Sequence, residues 1–276
     1  MMRRWPWLAW AAMLSLWGGC SRQGGATVSG PDSYFEKPTD QQMARAVADG
    51  DVETIRRLLE SHEVDPLAVG RDATNWLTIA VAARQKGSLD TLLEHGALGD
   101  PKGKIAGQAL YAATLLEDLY WLKRLHAAGA DLNNHGGGDL LLEVAVDTRN
   151  RETLDFYLEH GADLDLRTNT GGSVALSTAQ AKRFDLVNEF LDRGASPWVM
   201  DSLGSTLGSA AERAGKVPAW DHRSPMNQER LLLLERLHAI GFPNPAPTAT
   251  EGRALREAGK WPPPGAPATA PRPAAP

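Results

Sequence analysis

The stretch Ala128-Gly129-Ala130-Asp131-Leu132 returns as His160-Gly161-Ala162-Asp163-Leu164. Its Gly-Ala core also stands in His95-Gly96-Ala97 and Arg193-Gly194-Ala195, and successive copies lie 33, 32 and 33 residues apart. A fixed period of this size marks an array of one repeated supersecondary unit. Before each copy runs an apolar pattern: Leu89, Leu92 and Leu93; Leu122 and Leu125; Leu154, Tyr157 and Leu158; Val187, Phe190 and Leu191. Spacings of three and four put these side chains on one face of a helix. The glycine that follows is expected as a left-handed cap, since it reaches positive φ without a Cβ penalty.

A second helix is predicted upstream in each unit, over Ile79 to Ala83, Leu110 to Leu116, Leu141 to Val146 and Val174 to Ala181. Small residues there, such as Ala80, Ala113, Ala145 and Ala179, let the two helices of a pair approach closely. Between units lie turn-forming runs, for example Asn133 to Gly138 and Arg167 to Gly172. Six units are counted over residues 38–245. The first, near 38–72, ends in Glu63-Val64-Asp65 where the others have Gly-Ala. The last, about 204–242, closes at Ile240-Gly241-Phe242 and carries an insertion near Gly215 to Glu229 that includes Pro218, Trp220, His222 and Pro225. Residues 246–276 are rich in Pro and Ala and read as a disordered or polyproline-like tail.

A 33-residue helix–turn–helix unit closing on Gly-Ala-Asp-Leu resembles the ankyrin repeat, although the Thr-Pro-Leu-His-x-Ala signature is degraded to Asn75-Trp76-Leu77-Thr78-Ile79-Ala80 and Ser173-Val174-Ala175-Leu176-Ser177-Thr178. The resemblance implies an all-α, ankyrin-type helical solenoid of about six repeats. It also implies a non-catalytic scaffold that binds a protein partner through turn tips and inner helices. Projected onto this chain, those positions are Arg71, Asp72, Lys104, Asp139, Asp147, Asn169, Thr170, Gln180, Ser202 and Arg213. Trp220, in the insertion, is added as the tryptophan expected to be exposed.

The amino terminus reads as an address. Arg3 and Arg4 precede an apolar run from Trp5 to Trp17, then Gly18, Gly19 and Cys20. The run is shorter than the roughly 20 residues a membrane span needs. With the chain's one cysteine at its end, the segment resembles a bacterial lipoprotein signal, though Trp17 stands where that family usually has Leu. The resemblance implies a signal peptide over 1–19, acylation of Cys20, and a flexible linker over 20–37. By the same resemblance, Ser21 implies outer-membrane sorting, with the domain facing the periplasm.

Charge and side-chain chemistry narrow the function. The net charge of −5 becomes −7 once Arg3 and Arg4 leave with the signal, which speaks against nucleic-acid binding. One cysteine allows neither an intramolecular disulfide nor a cysteine metal site. His62, His95, His126, His160 and His238 all fall at the ends of second helices, where they answer the last carbonyls. Gly136-Gly137-Gly138 and Gly171-Gly172 lack the Lys-Ser/Thr of a phosphate loop. Asp163 and Asp165 read as solvated turn residues. No enzyme, metal or cofactor is expected, and the chain is expected to be monomeric. Two alternatives stay open. One is an immunity-type lipoprotein that neutralises a toxin delivered by neighbouring cells. The other is a metal-binding or enzymatic site at Asp221 and His222 in the insertion.

Overall fold

A computed structural model describes residues 30–217 and 223–268. The signal, Cys20, and the insertion residues Trp220, Asp221 and His222 lie outside them. Among the described residues the chain is helical, apart from one two-stranded hairpin and two isolated bridges. It is an all-α solenoid of helix pairs, divided into two compact units, 1–157 and 158–276.

The first unit holds α1 (Pro38–Asp49), α2 (Val52–Glu60), α3 (Trp76–Ala82), α4 (Lys86–Glu94), α5 (Lys104–Thr114), α6 (Tyr120–Ala127), α7 (Leu141–Thr148) and most of α8 (Arg151–Glu159). First helices stack on first helices, α1 on α3, α3 on α5 and α5 on α7, while α2 packs on α4 behind them. Helices α2 and α3 start where a side chain answers their orphan N–H groups. Asp51 accepts from the Thr54 N–H at 3.0 Å, and Asn75 and Thr78 form a reciprocal capping box. Ile55, Leu58, Leu77, Leu89, Leu92, Leu110, Leu122 and Leu125 are fully buried, so the apolar faces meet between pairs. At its start, Phe35 stacks on Trp76 with centroids 4.3 Å apart.

The second unit holds α9 (Val174–Gln180), α10 (Phe184–Asp192), α11 (Leu207–Gly215), α12 (Pro225–Ala239) and α13 (Ala249–Glu257). Here α9 packs on α10 and α11, and α12 packs on both α10 and α11.

The predicted caps are present. Gly96, Gly129, Gly161, Gly194 and Gly241 all have positive φ, between 79° and 102°. In the first pair His62 takes that place with φ 58°, and Val64, 3% exposed, is buried where Ala97 and Ala130 are buried later. A second set of left-handed residues closes the first helices: Arg84, Arg149 and Lys182, at φ 56°, 57° and 66°. Their positive charge suits a helix carboxyl end.

Of the insertion, residues 225–229 open α12, which has 15 residues against nine in α10. One expectation needs correction: residues 246–268 differ from the expected unstructured tail. Thr248 and Glu251 form a capping box that starts α13. Trp198, Phe242 and Trp261 form an aromatic cluster with centroids 5.1–5.6 Å apart. The Trp261 indole N–H donates to the Trp198 carbonyl, and the Trp198 indole N–H to that of Pro267, both at 2.7 Å. Aromatic burial with satisfied N–H groups holds a segment whose overall composition argued against packing.

Candidate functional site

The turn between α10 and α11 is organised by one carboxylate. Met200 and Thr206 bridge as an antiparallel pair, and Gly204, at φ 88°, closes the loop between them. Asp201 is 3% exposed. Its Oδ1 accepts from the Leu203 and Ser205 N–H groups at 3.0 and 2.8 Å. Its Oδ2 accepts from Gln180 Nε2 at 3.1 Å. An aspartate that binds its own backbone two residues on is the usual Asx turn, here tied as well to the end of α9. The Arg256 guanidinium on α13 grips the same turn from behind, donating to the Asp201 and Ser202 carbonyls at 2.7 and 3.1 Å.

The preceding turn is joined to it. The Ser202 N–H donates to the Thr170 carbonyl at 2.8 Å, and the hydroxyls of Thr168 and Thr170 bond at 2.9 Å. Between these turns and the first helices α9 and α11 lies a groove of about 620 Å³. Asn169, Thr170 and Ser202 line it from the turns, Gln180 and Lys182 from the end of α9, and Ala210, Arg213, Ala214 and Val217 from α11 and its exit. Leu203 stands at its edge, 63% exposed.

Five of the ten projected positions therefore meet in one cavity: Asn169, Thr170, Gln180, Ser202 and Arg213. The other five, all in the first unit, are spread over four elements, with Arg71 and Asp72 sharing one short turn. Arg71 is exposed and donates to the Ser33 carbonyl. Asp72 is exposed beside it with φ 55°. Lys104 opens α5, and Asp139 pairs with Gly136 in the hairpin β1 (His135–Gly136) and β2 (Asp139–Leu140). Asp147 is exposed near the end of α7. The hairpin lies on Tyr111, where a Cβ at Gly136 would stand 2.4 Å from Tyr111 Cβ. Burial, and then the Asp139 charge, push the Tyr111 hydroxyl pKa up.

Sequence reasoning missed Lys182, Asp201, Leu203, Val217 and Tyr111. Asp201-Ser202-Leu203-Gly204 carries a readable turn signal, but nothing in the sequence tells that Leu203 points outward. The histidine reading is met at His95, whose Nδ1 lies 2.8 Å from the Thr91 carbonyl. Among the described residues no three metal-ligating side chains gather. The groove is lined by hydrogen-bonding groups, by the cationic side chains of Lys182 and Arg213, and by a small apolar floor.

No family model matches the chain. It is 27% identical over 167 residues to an L-asparaginase of Dirofilaria immitis, covering 60% of this chain and 28% of that protein. It is 30% identical over 153 residues to the protein PhlB of Serratia liquefaciens, covering 55% of this chain and 66% of the other. The chain thus spans less than two thirds of each of these relatives. Solved ankyrin repeat domains match its fold. Against the ankyrin repeat domain of Bcl-3 the TM-score is 0.57 at 22% identity, over 78% of this chain and 91% of that one. The fold is that of ankyrin repeats.

Proposed function

We propose that this chain is a non-catalytic scaffold that holds a protein partner in the groove of its second unit, and that it works from a lipid anchor at Cys20 on the bacterial envelope, facing the periplasm. The groove carries the reading. Two turns and two first helices converge there on one cavity whose lining is recessed, mixed in polarity and braced from behind by Arg256. Side chains held by a rigid scaffold bind with less ordering cost than mobile ones. Repeat arrays supply such surfaces from equivalent positions of successive units. The anchor rests on the Arg3-to-Cys20 pattern.

A photo-cross-linking residue placed at Ser202 or Thr170, both exposed, should trap one discrete protein adduct in cells. The same residue at Glu53, exposed on α2, should not. Equal trapping at all three positions would remove the groove from the proposal. Metabolic labelling with palmitate tests the anchor, and Cys20→Ser should abolish the label.

A further inference from the structure

We propose that residues 246–268 stand in for a further repeat and shut the carboxyl-terminal end of the second unit against a second copy of this chain. Equivalent bonds put its successive turns in register. The Thr168 N–H donates to the Gly172 carbonyl, and 33 residues on the Asp201 N–H donates to the Ser205 carbonyl. In that register Thr170 corresponds to Leu203. The Thr170 carbonyl takes the N–H of Ser202 from the turn that follows it. The Leu203 carbonyl takes the Arg253 guanidinium in place of a backbone N–H, at 3.4 Å. Arg256 takes the neighbouring Asp201 and Ser202 carbonyls. Two arginines of α13 thus answer the acceptor edge that a further repeat would pair with.

The chain is in register for this exchange. Asp201 stands seven residues after Gly194; seven residues after Gly241 stands Thr248, and there α13 starts where the period calls for another turn. The helix lies directly on the Asp201 turn. A Cβ at Gly204 would press on the Ala249 carbonyl oxygen, and one at Gly252 on the Gly204 carbonyl oxygen, so backbone meets backbone. The Ala246 N–H donates to Glu212 on α11 at 2.7 Å, and Trp261 closes over Trp198 and Phe242. Beneath this strap Trp198, Met200 and Phe242 are buried, whereas Thr250, Glu251, Ala254, Glu257 and Lys260 on the strap are exposed. A polar outer face over an apolar end is what a terminal unit of a repeat array needs for solubility. Lifting the strap would bare two aromatic rings, a methionine and a row of carbonyls. The same patch on a second copy is its natural cover, because an isologous pair buries both at once.

The test co-expresses two full-length copies with different epitope tags and captures one by its tag. The wild type should not bring down its second copy. Gly252→Leu, which cannot seat against Gly204, should do so, and trypsin should cut it after Arg253 and Arg256 about tenfold faster than the wild type. Ala254→Leu, at an exposed position of the same helix, should behave as the wild type in both assays. Arg253→Ala/Arg256→Ala repeats the capture without adding bulk beneath the strap, and should bring down less than Gly252→Leu. A synthetic peptide of residues 246–268 should disperse the complexes, and the same peptide carrying Gly252→Leu should not. That reversal separates an opened edge from a misfolded aggregate. Equal co-capture by the wild type, cleavage of Gly252→Leu at the wild-type rate, co-capture by neither variant, or complexes of both variants that resist the peptide would each overturn the proposal.

Discussion

Helices α10 and α12 are the second helices of successive pairs and are held there by different forces. In α10, Phe184, Leu186, Val187, Phe190 and Leu191 are buried with one polar residue, Asn188, and the helix is seated chiefly by non-directional apolar contact. In α12 the buried set is Asn227, Arg230, Leu233, Arg236 and Leu237, while Leu231 points out, 50% exposed. Arg236 donates to the Asn188 carbonyl at 3.0 Å and to Asp192 Oδ1 at 2.8 Å. Arg230 donates to Asn227 Oδ1 at 2.9 Å and to the Ala211 carbonyl at 3.3 Å, and burial lowers its guanidinium pKa. In return Asn188 Nδ2 donates to the Glu229 carbonyl at 2.9 Å. The last helix pair thus uses arginines as struts that satisfy polar groups of its neighbour. Such bonds fix geometry well but contribute less net free energy than a packed aromatic, because desolvation offsets much of their gain.

That difference can be broken at either end. Phe190→Ala should be the more damaging change, costing about 3–5 kcal/mol because a fully buried ring leaves a cavity. Arg236→Ala should cost less, about 1–3 kcal/mol, since Asp192, 43% exposed, regains water once its partner is gone. Urea unfolding of the two variants checks the order, and a larger loss for Arg236→Ala would reverse the lesson. Helix α8 sharpens the point with a single buried hydroxyl. Tyr157 OH lies 2.6 Å from Thr114 Oγ1, and Thr114 also donates to the Leu110 carbonyl at 2.7 Å. Tyr157→Phe should cost only about 1 kcal/mol near neutral pH, because Thr114 keeps its second bond. Burial raises the Tyr157 pKa, partly opposed by the Thr114 bond. The unfolded chain therefore loses this proton first, from about pH 10, and stability contributed by the neutral hydroxyl declines as pH rises from there. The Phe variant should show a shallower alkaline loss in thermal melts recorded from neutral to high pH.

Where one residue type repeats at one spacing, the sequence could be read directly. The Gly-Ala period located four of the six helix pairs, because backbone handedness and close packing each demand a particular small residue. It failed where tertiary context overrode composition. The leucine run 231–234 contains both Leu233, fully buried, and Leu231, half exposed, since the arginines take the inner face. Helix α13 was hidden by the surrounding prolines, although Thr248 and Glu251 carried a legible helix start. The groove was half legible. The period pointed to its turn and helix positions. That Asn169, Thr170, Gln180, Ser202 and Arg213 share one cavity while Arg71, Lys104 and Asp147 do not depends on how Asp201 folds its turn and on what Arg256 holds behind it.

The five glycines that follow the second helices have one more consequence. At Gly96, Gly129, Gly161, Gly194 and Gly241, no atom lies within 4 Å of where a methyl group would stand. Crowding does not keep side chains away; chirality does. A mirror-image alanine, introduced by chemical synthesis, would find each of these torsions natural and each space open. The ribosome has no such monomer to offer, so every helix pair but the first, which has His62 there, carries at this cap the looseness of an achiral residue in the unfolded chain.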